Sequence, residues 1–153
     1  RRVLFRLIIV LSIFLICAGV AAPAGAETQL ADPKPDFDNP RKIMLQLTSG
    51  DPKDMNNVLW NAINLQKFYG IDNVKIAIVG YGDGMKAFYK KGSPARERIE
   101  SHLKYEIEFI GCGNTMTATQ RSPDELIPGV KHVTAGIAEI VERQLQGWIY
   151  VRP

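Results

Sequence analysis

The chain has 153 residues, 46% hydrophobic and 23% charged, enough apolar material for one folded domain and not a disordered composition. Its 19 Lys and Arg exceed its 16 Asp and Glu only through Arg1, Arg2 and Arg6, so the remainder is neutral and carries no electrostatic footprint for nucleic acid. Two cysteines are too few for a disulfide-stapled miniprotein or a four-cysteine zinc module.

The first segment reads as an address. Arg1, Arg2 and Arg6 precede an apolar run from Leu7 to Val20, and small residues then end in Ala24-Gly25-Ala26. That is the pattern of a secretory signal peptide over 1–26, cleaved after Ala26. The run is about 14 residues, short of the roughly 20 that a membrane span needs. The competing reading is an uncleaved N-terminal anchor. Arg1-Arg2-Val3-Leu4-Phe5-Arg6 is similar to a twin-arginine export signal, whereas the greasy run that follows favours general secretion. Ile16 is too large for a lipobox, so Cys17 belongs to the apolar run. The expected product is a periplasmic or secreted bacterial protein with no stable membrane span after cleavage.

Residues 27–40, with Pro33, Pro35 and Pro40 among Asp32, Asp36 and Asp38, predict an extended lead-in. Strand and helix patterns then alternate over 41–153. Lys42–Leu47 reads as a strand closed by Thr48-Ser49-Gly50-Asp51-Pro52. Met55–Tyr69 has helical apolar spacing, with Asp54 as cap and Gly70 as stop. Val74–Val79 is a β-branched strand, followed by a glycine-rich turn over 80–84 and a short helix over Met85–Lys91. Ser93-Pro94 opens a helix running to Leu103. Tyr105–Ile110 alternates as a third strand, and Gly111-Cys112-Gly113-Asn114 is the turn after it. A short helix over 115–120, a helical turn at 122–126 and a strand over Val130–Val133 follow. Thr134 caps a last helix with Ile137, Ala138, Val141 and Leu145 on one face, and Trp148–Val151 is the final strand. Such alternation predicts βαβ units, and so a five-stranded, mostly parallel sheet in a three-layer α/β/α sandwich of the doubly wound kind.

Ligands of open parallel sheets bind at the carboxyl ends of the strands. Cys112, the only cysteine after the leader, falls at such an end between a strand and a helix. Helix N-terminal N–H groups there favour thiolate over thiol, and Gly111 and Gly113 would leave room for a partner to approach the sulfur. The residues leave two readings open: a reactive thiolate, or a small buried hydrophobe. The glycines at 80, 82 and 84 lack the G-K-[ST] of a phosphate loop. His102 and His132 have no paired spacing, predict no metal site and read as ordinary surface or strand-edge residues. Thr115 and Ser122 have no neighbouring base, so hydrolase chemistry is unsupported. No cofactor is implied.

Several stretches occur in order: Gly111-Cys112-Gly113-Asn114-Thr115-Met116, Leu126-Ile127-Pro128-Gly129-Val130, Gly136–Gln144 and Gly147-Trp148-Ile149-Tyr150-Val151-Arg152-Pro153. Together they resemble the DsrE/DsrF-like family, in particular its exported branch, over residues 41–153. The resemblance implies a flavodoxin-like sandwich that assembles as trimers or hexamers. Characterised cytoplasmic relatives, such as the DsrE and TusD proteins, relay sulfur as a cysteine persulfide. By that resemblance Cys112 carries the sulfur, Gly111, Gly113, Asn114 and Thr115 shape its loop, and a protein serves as sulfur donor or acceptor. Two departures stand out: Thr117 where the branch often has a basic residue, and Tyr81 where relatives often have histidine. Two other readings remain: a non-catalytic small-ligand-binding or assembly protein on the same fold, and a thiol redox sensor.

Overall fold

A computed structural model describes Gly25 and residues 27–153. The expected leader, and with it the cleavage site, lies outside the described residues apart from Gly25. Residues 27–40 contain no helix or strand and are mostly exposed.

Five strands follow: β1 (Arg41–Leu47), β2 (Val74–Gly80), β3 (Glu108–Cys112), β4 (Lys131–Val133) and β5 (Ile149–Val151). They form one sheet in the order β4-β3-β2-β1-β5, and every pair is parallel. The fold is therefore the α/β sandwich expected from the alternating pattern, with the sheet parallel throughout. β1 and β2 read as near-continuous apolar runs because both faces of these central strands are covered. On one face Ile43, Leu45, Leu47, Ile76, Ile78 and Phe109 pack under the helices α1 (Pro52–Tyr69) and α2 (Arg96–Leu103). The alternate residues Met44, Ala77, Val79 and Ile110 face the other way, against Ile140 of α4 (Gly136–Leu145). The short α3 (Gly113–Ala118) contributes Met116 to the first cluster.

The chain departs from the sequence expectations at several element ends. Asp51, not Asp54, caps α1: its carboxylate accepts from Lys53 N–H at 2.7 Å and Pro52 takes the first turn. Gly70 ends α1 with φ +86°, as its type predicts. The helix expected over Met85–Lys91 is instead a 3₁₀ turn over Gly82–Ala87. The chain there is pressed against the end of β1, where a Cβ on Gly84 would lie 2.1 Å from the Leu47 carbonyl oxygen. Ser93 holds the entry to α2 by accepting from Ala95 N–H, so that helix begins at Arg96. β3 starts at Glu108 rather than Tyr105. The N–H groups of Lys104, Tyr105 and Ile107 still bond carbonyls in the last turn of α2, and Glu106 has φ +62°.

Two features anchor α4. Ile140 packs on the sheet, and Glu108 at the start of β3 binds Arg143 at 2.8 Å and Lys131 at 3.1 Å. Burial pushes the Glu108 carboxyl up, but these two cations outweigh it and hold the group below the usual carboxylate range. Arg143 also lies over the Trp148 ring, 4.5 Å from its centroid. The expected face of Ile137, Ala138, Val141 and Leu145 is the outer one: Ile137 is 56% exposed and Leu145 78%. Among the described residues no helix is long and apolar enough to cross a membrane.

Candidate functional site

Cys112 is the last residue of β3 and the N-cap of α3, so the expected turn over 111–114 is compressed into a direct strand-to-helix junction. The residue is 6% exposed. Its backbone N–H donates to the thioether sulfur of Met85 at 3.3 Å. Burial pushes the thiol up. Against that, four donors stabilise the thiolate: in falling order the N–H of Gly136, the hydroxyl of Thr115, the N–H of Thr115 and the N–H of Asn114. The donors win, and the thiol lies below its ordinary range. The Asn114 N–H contributes least and is also donated to the Thr134 carbonyl at 2.9 Å.

Thr115 is oriented for this work. Its Oγ1 accepts from Gly82 N–H at 3.1 Å, which leaves its own proton for the thiol. The largest favourable donor, Gly136, comes from the start of α4, which Ala135 rather than Thr134 caps. Thr134 instead uses its carbonyl to fix Asn114. Two chain segments far apart in sequence thus converge on one sulfur. No spacing signal in the sequence marks Gly136, because its contribution is a backbone N–H placed by the crossover from β4.

The two flanking glycines have a different role from the one expected of them. A Cβ on Gly111 would lie 2.9 Å from Met85 Cε, and one on Gly113 would lie 2.9 Å from the Val133 carbonyl oxygen. The space at each is filled by the protein itself, so these glycines serve close packing and not access to the sulfur. Tyr81 packs against Gly136 on the same side of the sheet, and its hydroxyl accepts from the Gln46 side-chain amide. Tyr150 donates to the same Gln46 side chain and so ties β5 to the loop after β2.

Of the two histidines, His102 is buried in the core, with Nε2 at 3.1 Å from the Leu59 carbonyl and the ring edge-on to Phe109. This corrects the surface assignment. His132 is exposed, pairs in register with Gly111 and borders a cleft of about 260 Å³ with Asn114 and Met116. Among the described residues no three His, Cys, Asp or Glu side chains gather as a metal site would require.

A larger cleft of about 670 Å³ opens between the 3₁₀ turn after β2 and α3. Met85, Tyr89 and Ala118 supply its apolar surface, and Lys86, Asn114, Thr115 and Arg121 are among its polar lining. The Arg121 guanidinium stacks 3.9 Å above the Tyr89 ring. The sequence pointed to neither Tyr89 nor Arg121, since a turn residue and the residue after a short helix meet only through the tertiary fold.

No protein-family model and no curated protein matches the chain. Solved structures similar to it include these two. MTH1491 from Methanobacterium thermoautotrophicum, described as a protein of unknown function, shares 26% identity with a TM-score of 0.71, over 74% of this chain and 99% of its own. The ychN protein from E. coli shares 16% identity with a TM-score of 0.62, over the same shares of the two chains. Both have the DsrE-like, flavodoxin-like architecture, and that is the fold of this chain.

Proposed function

We propose that the protein is a sulfur carrier of the exported DsrE/DsrF-like kind, in which Cys112 accepts and passes on sulfane sulfur as a persulfide. One observation carries the reading: a recessed thiol at the carboxyl end of the sheet whose donors favour the thiolate, the form that attacks sulfur. The DsrE-like fold is compatible with it. The Arg1–Ala26 pattern supports export, with the carrier working in the periplasm. The same surroundings would serve a thiol redox sensor, which differs in forming a disulfide or sulfenic acid rather than a persulfide.

The outer face of α4 and the exposed β5 support a homo-oligomer, a trimer or hexamer by resemblance. The reading of a non-catalytic ligand binder draws its support from the 670 Å³ cleft. Intact mass after incubation with polysulfide separates these readings. The carrier gains one or more sulfur atoms, reversibly by a thiol reductant, and Cys112→Ser gains none while remaining folded. A wild-type chain that takes up no sulfur contradicts the carrier reading.

A further inference from the structure

Cys112, Tyr81, Gln46 and Tyr150 form a row across the carboxyl end of the sheet. Cys112 ends β3, Tyr81 follows β2, Gln46 lies in β1 and Tyr150 in β5, and these four strands are neighbours in that order. Side chains alternate between the faces of a strand, so Gln46 and Tyr150 share the side of Met44, on which α4 packs. Tyr81 and Cys112 reach the same side, because both lie against Gly136 at the start of α4. A Cβ on Gly136 would be 3.2 Å from Cys112 Cβ and 3.4 Å from Tyr81 Cβ.

Directed hydrogen bonds join three members of the row. The Tyr150 hydroxyl donates to Gln46 Oε1, and Gln46 Nε2 donates to the Tyr81 hydroxyl. An amide head has one oxygen and one nitrogen, so engaging the oxygen from the β5 side aims the nitrogen at Tyr81. Tyr81 in turn borders two of the groups that stabilise the thiolate. Its side chain packs against Gly136, whose N–H is donated to the sulfur. The next residue, Gly82, donates its N–H to Thr115 Oγ1 at 3.1 Å, which leaves the Thr115 proton for the sulfur. Neither tyrosine is itself among the donors to Cys112.

Resting on the reading of Cys112 as the sulfur-carrying thiol, we propose that Tyr81 is a positioning residue, which holds Gly136 and Thr115 against the sulfur and is itself held by Tyr150 through Gln46. The edge strand β5 thereby sets the surroundings of a thiol three strands away. A hydroxyl removed at the sheet edge frees the Gln46 amide to turn, the Tyr81 ring loses its tether, and the donors beside it move off the sulfur.

The test follows Cys112 alkylation by iodoacetamide across pH in the wild type, Tyr81→Phe, Tyr150→Phe and the double variant. Each single variant is expected to raise the midpoint by about half a pH unit, roughly a threefold loss of thiolate below the midpoint. The double variant shifts no further than Tyr81→Phe alone, because both changes act through one contact. Ile149→Ala serves as the structural control: it loosens the pairing of β5 with Ile43 and leaves the three hydrogen-bonding side chains in place. It is expected to lower the thermal midpoint and leave the alkylation midpoint at the wild-type value. Tyr150→Phe, at an exposed edge position, carries the test alone if Tyr81→Phe does not fold. Unmoved midpoints in the tyrosine variants overturn the proposal, and so does an Ile149→Ala shift as large as that of Tyr150→Phe. Shifts that add in the double variant overturn the route through Gln46. Polysulfide loading of the wild type is measured alongside. A protein that takes up no sulfur, with midpoints shifted as expected, removes the carrier reading and upholds Tyr81 as the positioning residue of a thiol with another use.

Discussion

The donors that favour the Cys112 thiolate are neutral: three backbone N–H groups and one hydroxyl. The N–H groups are fixed by the backbone and the hydroxyl is held by the Gly82 N–H, so they cost less to hold in place than a long cationic side chain. The glycines beside the thiol are part of that arrangement. Alanine at 111 would press on Met85 at the far end of its flexible side chain, which can swing aside, whereas alanine at 113 would press on a backbone carbonyl. We expect Gly111→Ala to cost about 1 kcal/mol, and Gly113→Ala more, toward the upper part of the roughly 1–3 kcal/mol typical of overpacking. Chemical denaturation of the two variants checks the order. Equal costs, or a cheaper Gly113→Ala, would show that the β3–α3 junction is looser than described.

Among the elements, β1 and β2 were legible to within a residue or so, because strands covered on both faces leave an unmistakable apolar run. The start of β3 was not. Tyr105 and Glu106 continue its alternation in sequence, but the last turn of α2 holds their segment in a turn. Periodicity cannot report such competition for backbone bonds. α4 shows a related limit: its apolar stripe was visible, but which side of the helix it faced was not. Ile140 and Gly136 take the inner side, and Ile137, Val141 and Leu145 point outward. The thiol's place at a strand end could be read directly, since it depends on local order along the chain. The Gly136 donor and the cleft residues Tyr89 and Arg121 could not, since each arrives through a crossover or a turn with no signature of its own.

For the molecule as a whole, the two sides of the sheet are unequal. Among the described residues, α1, α2 and α3 cover one face and α4 packs on the other. Ile137, Val141 and Leu145 are exposed on the outer side of α4, an apolar stripe of the kind that assembly covers. Sedimentation of residues 27–153 is expected to show an assembly. Val141→Glu with Leu145→Glu is expected to release monomers that keep their thermal midpoint, because both side chains are exposed. A wild-type monomer at micromolar concentration would contradict this. The proposed sulfur chemistry rests on Cys112 being held as a thiolate. A thiol whose folded pKa is depressed adds stability that is fully present above the unfolded value of about 8.5 and is lost as pH falls through the folded value. The rate of Cys112 alkylation by iodoacetamide across pH reads that folded value directly. A midpoint below about 8.5 is expected for the wild type, and a higher one for Thr115→Val, which lacks the donating hydroxyl. A wild-type midpoint at or above about 8.5 would contradict it, because burial would then have outweighed the four donors.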